Sequence, residues 1–248
     1  MTAATTMAAR SFRGSTTAGS SQAELKELVT HMGAELELAP AEVIIEWAVA
    51  TFGERFCITS SMGDAVLAHV ASRVAPGVDV VFLDTGYHFT ETIGTRDAVE
   101  ATLPVNVRSV TPELTVAEQD AKYGKDLFAR DPDLCCALRK VAPLQRTLEE
   151  YDAWATGLRR QETRNRVIAP VVGWDDTKQK VKVSPLARWS DEDVERYIAE
   201  HGVLVNPLQY DGYPSIGCFP CTRRVSPGED KRSGRWAGNA KTECGIHL

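Results

Sequence analysis

The 248-residue sequence predicts an α/β protein: a mostly parallel sheet with helices on both faces, ending in a flexible C-terminal tail. Three observations predict it. Short apolar runs, such as Phe56-Cys57-Ile58-Thr59 and Val78-Asp79-Val80-Val81-Phe82-Leu83, alternate with segments of helical spacing. No internal repeat and no linker divides the chain. After Asn206 the apolar periodicity stops, and Gly, Pro and Arg are abundant as far as Leu248.

Each element follows in order. Residues 1–20 are rich in Ser, Thr, Ala and Gly and read as a disordered leader. Arg10 and Arg13 among Ser, Thr and Ala give it a faint likeness to a transit peptide, and a disordered leader is the reading preferred. Residues 21–53 read as N-terminal helices. Leu25, Leu28 and Val29, then Val43, Ile44 and Trp47, recur at helical spacing, and Pro40 starts the second helix. The main domain spans 54–235. Phe56 to Thr59 is a buried strand, Ser60 to Asp64 a loop, and Ala65 to Val74 a helix. Val78 to Leu83 is a second strand, closed by Asp84-Thr85-Gly86. A helix over Thr90 to Ala101 and a strand over Val105 to Val110 follow. The next helix covers Cys135 to Glu150, with a kink or break predicted at Pro143. Ala153 to Gly157 and Val181 to Leu186 read as strands. Ser190 caps a helix that runs to His201, and the acidic residues after it suit the positive end of the helix dipole. Residues 236–248 form the tail.

Composition narrows the function. An apolar fraction of 43% is enough for an ordinary core. The formal charge of −6 argues against general nucleic-acid binding, which uses a basic surface. No apolar run approaches the roughly 18 residues of a membrane span, and the start lacks the pattern of a secretory signal. A cytoplasmic, soluble protein is therefore expected. Its oligomeric state stays open, and a homo-oligomer fits as well as a monomer.

Four constellations could carry chemistry. The six cysteines include an adjacent pair, Cys135-Cys136, and a Cys-x-x-Cys pair, Cys218 and Cys221. Four soft thiolates suit zinc or an iron–sulfur cluster. Adjacent cysteines are an unusual spacing for zinc, and both metals stay open at this point. Cys244 lies near the chain end and is followed by Gly245. Lys241 and His247 beside it would favour the thiolate, although an incidental exposed thiol fits equally well. Arginines cluster at Arg159-Arg160 with Arg164 and Arg166, at Arg223-Arg224, and at Lys231 to Arg235. Any one cluster fits a solvated face. Three in an acidic chain point to an anion site, and one helical turn would place Arg232 and Arg235 on one face. Last, Ser60 to Asp64 joins a strand to a helix, where backbone amides can bind an anion, though it lacks the Walker ending.

Together these residues closely resemble the assimilatory adenylyl-sulfate (APS) reductases, within the sulfonucleotide reductase family. The anchors are Ser60-Ser61, Leu83-Asp84-Thr85-Gly86, Cys135-Cys136-Ala137-Leu138-Arg139-Lys140, Gly157-Leu158-Arg159-Arg160, Gly217 to Cys221, Arg232 to Trp236 and Glu243 to His247. The resemblance implies a fold similar to the adenine-nucleotide α-hydrolases. The Ser60 to Ala65 loop departs from their Ser-Gly-Gly-x-Asp-Ser pyrophosphate pattern, which fits a phosphosulfate ligand. It also implies that Cys135, Cys136, Cys218 and Cys221 ligate a [4Fe–4S] cluster. Cys244 would attack the sulfur of adenosine 5'-phosphosulfate (APS), release AMP and become a thiosulfonate. Thioredoxin, or a glutaredoxin-like reductant, would then release sulfite. Lys140, Arg232, Arg235 and His247 would surround the phosphosulfate, with Ser60 and Ser61 in the neighbouring loop. Leu83, Thr85, Gly157 and Arg166 would lie near the adenosine, with Arg164 an equal candidate for the last. Two relatives of this fold stand as alternatives: a reductase of the 3'-phosphorylated substrate PAPS, which typically lacks the cysteine pairs, and a tRNA sulfurtransferase, which would want a basic RNA-binding surface.

Overall fold

A computed structural model of the chain describes residues 19–239, 241 and 243–246. The leader expected over 1–20 lies almost wholly outside them, and so does His247. Helix α1 (Gln22–Glu35) opens on a capping box, in which Ser21 and Glu24 bond each other's backbone amides. Helix α2 (Ala41–Phe52) starts directly after Pro40. Then come β1 (Phe56–Thr59), α3 (Val66–Val74), β2 (Asp79–Leu83), α4 (Thr90–Thr102) and β3 (Asn106–Val110). Short helices α5 (Val116–Tyr123), α6 (Leu127–Arg130) and α7 (Pro132–Cys136) lead to α8 (Ala142–Leu148). Strands β4 (Ala153–Thr156), β5 (Val172–Asp175) and β6 (Lys180–Val183) precede α9 (Asp191–His201), which Ser190 caps as expected.

The six strands found among the described residues form one sheet, in the order β3-β2-β1-β4-β6-β5. All neighbours run parallel except β5 and β6. The alternation of side chains assigns the two faces. Ile58, Val80, Phe82, Ala155 and Val183 enter the main core with α1, α2 and α3. Cys57, Val81 and Trp154 point the other way, against Leu144 and Leu148 of α8. Helices therefore cover both faces, and the two packings bury all of β4 and all of β1 except Thr59 at its end.

Several elements differ from expectation. Helices α5 and α6 and strand β5 were not predicted. Strand β5 holds Gly173 and starts two residues after Pro170, and both residues weaken a strand signal; an antiparallel edge position tolerates them. The helix expected over Cys135 to Glu150 is divided by a π turn at Ala137–Val141, where the Ala142 amide bonds the Ala137 carbonyl. Pro143 has no N–H to offer the Arg139 carbonyl, so the helical ladder relaxes just before it. The break falls between the cysteine pair and α8 and carries Lys140. No described helix is long and apolar enough to cross a membrane.

Candidate active site

The strand order reverses at β1: β2 and β3 lie on one side, β4 on the other. Open α/β sheets bind ligands beyond the carboxyl ends of the strands at such a point. A cleft of about 360 Å³ opens there. Ser60 and Ser61 reach it from β1, Leu83 from β2 and Gly157 from β4. Lys140, Arg166, Arg232, Arg235 and Cys244 complete the wall, so nearly every residue singled out for substrate converges on one space. The loop after β1 is turned by Met62, whose φ is 57° and whose amide donates to the Ser60 hydroxyl at 3.2 Å. A second hollow, of about 440 Å³, lies between Leu38, Pro40 and Trp189, and no candidate residue lines it.

Thr85 stands behind the cleft rather than in its wall. It is fully buried, and its hydroxyl lies 3.3 Å from the Cys218 sulfur. Its carbonyl accepts from the Nε of Arg139, a buried guanidinium that also donates to Gln119. His88 was not singled out, yet it lines the cleft. Its Nε2 sits 2.9 Å from the Leu83 carbonyl, and burial holds its pKa below the usual range.

Cys135, Cys136, Cys218 and Cys221 line one small cavity beside the cleft, with Lys140, Arg235 and Trp236. The first pair comes from the end of α7. The second comes from a 3-10 turn over Phe219–Cys221, closed by the Cys221 amide on the Cys218 carbonyl at 2.9 Å. Among the described residues no three His, Cys, Asp or Glu side chains converge on a single ion position. The four thiols surround a shared space instead. Four thiolates on such a space, with the cations Arg139, Lys140 and Arg235 around them, fit the donor set and the negative charge of an iron–sulfur centre.

The arginines divide by role. Arg235 packs its guanidinium 4.5 Å from the Trp236 ring centre, and its buried Nε has no hydrogen-bond partner among the described residues. Gly217 is needed beneath it: a Cβ there would sit 2.4 Å from Arg235 Nη2. Arg232 and Arg235 share a tight turn, with the Arg235 amide on the Arg232 carbonyl at 2.9 Å, instead of the helical turn expected. Arg166 is buried in the cleft wall, whereas Arg164 is exposed. Arg160 pairs with Glu37 and Arg224 with Asp211, so these serve structural or solvated ion pairs. Asp191, at the start of α9, holds Arg159 at 2.7 Å and Lys231 at 2.6 Å across the cleft mouth.

The tail was expected to be flexible. Among its described residues Trp236, Glu243 and Cys244 are buried, Lys241, Gly245 and Ile246 are half-buried, and Ala237 to Asn239 are exposed. The Cys244 sulfur packs with Cys136 and Trp236 at the junction of cleft and thiol cavity. A hydrogen bond from Cys136, then Lys140, the Ile246 amide and Arg235, pull the Cys244 pKa down against burial, which raises it. Burial opposes the charge on Lys140, but the sulfurs of Cys218 and Cys244 hold its pKa above the usual value.

The cleft thus lies where a mostly parallel sheet reverses its strand order, and arginines and the buried tail thiol share its wall. Residues 55–224 match the phosphoadenosine phosphosulfate reductase domain family, and the chain belongs to that family. It is 67% identical over 224 residues to adenosine 5'-phosphosulfate reductase of Streptomyces coelicolor, covering 90% of this chain and 95% of that one. It is 57% identical over 229 residues to the protein of the same name from Mycolicibacterium smegmatis, covering 92% and 97%. Among solved structures, a PAPS reductase from Candida auris in a phosphate complex superposes with a TM-score of 0.68 at 28% identity, covering 81% of this chain and 97% of that one.

Proposed function

We propose that the chain reduces adenosine 5'-phosphosulfate to sulfite and AMP, with Cys244 as nucleophile and a thioredoxin-class dithiol as reductant. One observation carries the mechanism: Cys244 stands where the nucleotide cleft meets the thiol cavity, within the field of Lys140 and Arg235. AMP is a good leaving group, so the protein need only position a thiolate and gather positive charge around the sulfate. The Cys244 thiolate attacks the substrate's sulfur. The sulfur–oxygen bond to AMP breaks, its electron pair leaves with AMP, and the enzyme keeps a thiosulfonate. A thiolate of the reductant then attacks the Cys244 sulfur and expels sulfite. The second thiol of the reductant resolves the mixed disulfide and restores Cys244, so the two electrons come from the dithiol.

Cys135, Cys136, Cys218 and Cys221 would hold a [4Fe–4S] cluster. When bound, that group supplies a fixed negative charge beside the anion site. Lys140 would lie between that charge and the substrate and keep the two compatible. A preference for APS over PAPS agrees with the relatives at 54–67% identity, which carry the APS reductase name.

Mixing the protein with APS alone tests the scheme. One sulfonate should appear on Cys244 and one AMP should be released, with no sulfite until reduced thioredoxin is added. Cys244→Ser should bind APS and form no adduct. Substantial turnover by that variant would remove Cys244 from the mechanism, and similar kcat/KM for APS and PAPS would remove the substrate preference.

A further inference from the structure

We infer that Glu243 is a positioning residue for the nucleophile, an inference that rests on the reading of Cys244 given above. Its side chain is only 5% exposed. Arg166 grips the carboxylate at two points, Nε to Oε1 at 2.9 Å and Nη2 to Oε2 at 2.8 Å. The Thr163 hydroxyl donates to Oε1 at 3.1 Å, and Arg232 Nη2 reaches Oε2 at 3.4 Å. A forked guanidinium fixes the orientation of a carboxylate as well as its position. A buried carboxylate is tolerated only when it is fully paired, and this one has four donor contacts.

The grip does not belong to the tail. Thr163 and Arg166 lie in the turns that follow β4, a central strand, and Glu162 pairs with Arg166 from the other side. Glu243 thus ties the tail to the rigid sheet one residue before the reacting sulfur. Beyond that sulfur, Gly245 passes so close to the π turn that a Cβ would lie 3.2 Å from Val141 Cγ2. Ile246 then packs onto the apolar cluster of Trp154 and Leu144. Cys244 is strung between a polar anchor and an apolar one, and only the polar anchor has a direction.

Glu243 also shares Arg232 with the proposed phosphosulfate site. Its charge draws on a cation that the substrate uses, so it aids positioning while weakening attraction for the anion. The two effects have opposite signs, and kinetics can separate them. In Glu243→Gln the shape is kept and the charge is lost. The rate of AMP release in a single turnover should fall roughly tenfold, since small misplacement of a reacting group costs about one to two orders of magnitude. The APS dissociation constant should stay equal or become tighter, and thioredoxin should discharge the preformed adduct at the wild-type rate.

AMP release at the wild-type rate would overturn the inference, as would APS binding that weakens in step with the rate. Cys244→Ser, run in parallel, separates the two readings. If it still releases AMP, the nucleophile is misassigned. If it is silent while Glu243→Gln is normal, only the role of Glu243 fails. Should Glu243→Gln not fold, Thr163→Val keeps both arginines and removes one bond. A drop of at least about twofold in AMP release is then expected, because the lost bond runs to a charged carboxylate and such bonds are worth at least as much as neutral ones; no drop would overturn the inference.

Discussion

Cys57 and Cys244 are both buried thiols, and their neighbours give them different chemistry. Cys57 faces Val81, Trp154 and Leu144 in the middle of the sheet. Burial first, then the charge of Asp79, push its pKa far above the ordinary range, so it stays a thiol. Cys244 has Lys140 and Arg235 nearby and a cleft in front of it. Cys57→Ala should therefore keep turnover and still form the adduct on Cys244. Lys140 lines both the thiol cavity and the cleft, as Arg235 and Trp236 do, and it follows Cys136 by four residues. Lys140→Ala should lower turnover roughly 10- to 100-fold, the usual cost of removing a group that supports a metal centre, and should shift the visible spectrum of the protein. An unchanged rate with an unchanged spectrum would show that Lys140 plays no such part.

At the scale of elements, the cleft is roofed by segments that carry little regular structure. The turn Lys231 to Arg235 is tied to α9 through Lys231 and Asp191. Burial raises the Asp191 pKa, but hydrogen bonds from Lys231 and Arg159 outweigh it and hold the carboxyl at about 2. An unfolded Asp titrates near 3.9. The tether's contribution is therefore complete above roughly pH 4 and is lost as the pH falls toward 2. Asp191→Asn should lower the thermal midpoint by roughly 2 °C at neutral pH, as befits a partly exposed ion pair in a chain of this size. The gap between variant and wild type should close between about pH 4 and pH 2. A gap that is the same at both ends of that range would mean that the Asp191 charge does not hold the turn.

Across the whole molecule, the four cysteines join two distant parts of the chain, the α7 segment and the stretch after Gly217. A metal centre there would act as a staple as well as an electrostatic device. Anaerobic protein should be brown, with about four irons and four sulfides per chain. Cys218→Ser should lose colour and activity together and melt at least about 5 °C lower, since binding free energy at such a site is folding free energy. Stoichiometric zinc in a colourless, active protein would refute the cluster. Much of this arrangement is legible in the sequence, because β1, β2 and β3 alternate with helices and the loop residues at their ends follow from that alternation. The paired cysteines and Cys244 stand out by type and spacing alone. Strand β5 is hidden by Pro170 and Gly173, whose signals are those of a turn. The Glu243 clamp is hidden for another reason: its main partner, Arg166, is 77 residues away, and nothing local to either residue marks the pair. Periodicity reports which face a residue turns inward, and it carries no record of which distant side chain will meet it there.

The place of Cys244 has a consequence for how the protein ages. The residue is 8% exposed and lies on the wall of the cleft, so a peroxide in solution reaches its sulfur along the path a substrate would take. Oxidation of a thiol follows its accessibility as well as its thiolate character. A nucleotide seated in the cleft would then shield the thiol, and the half-life of the thiol in dilute peroxide becomes a gauge of how much of the cleft is filled.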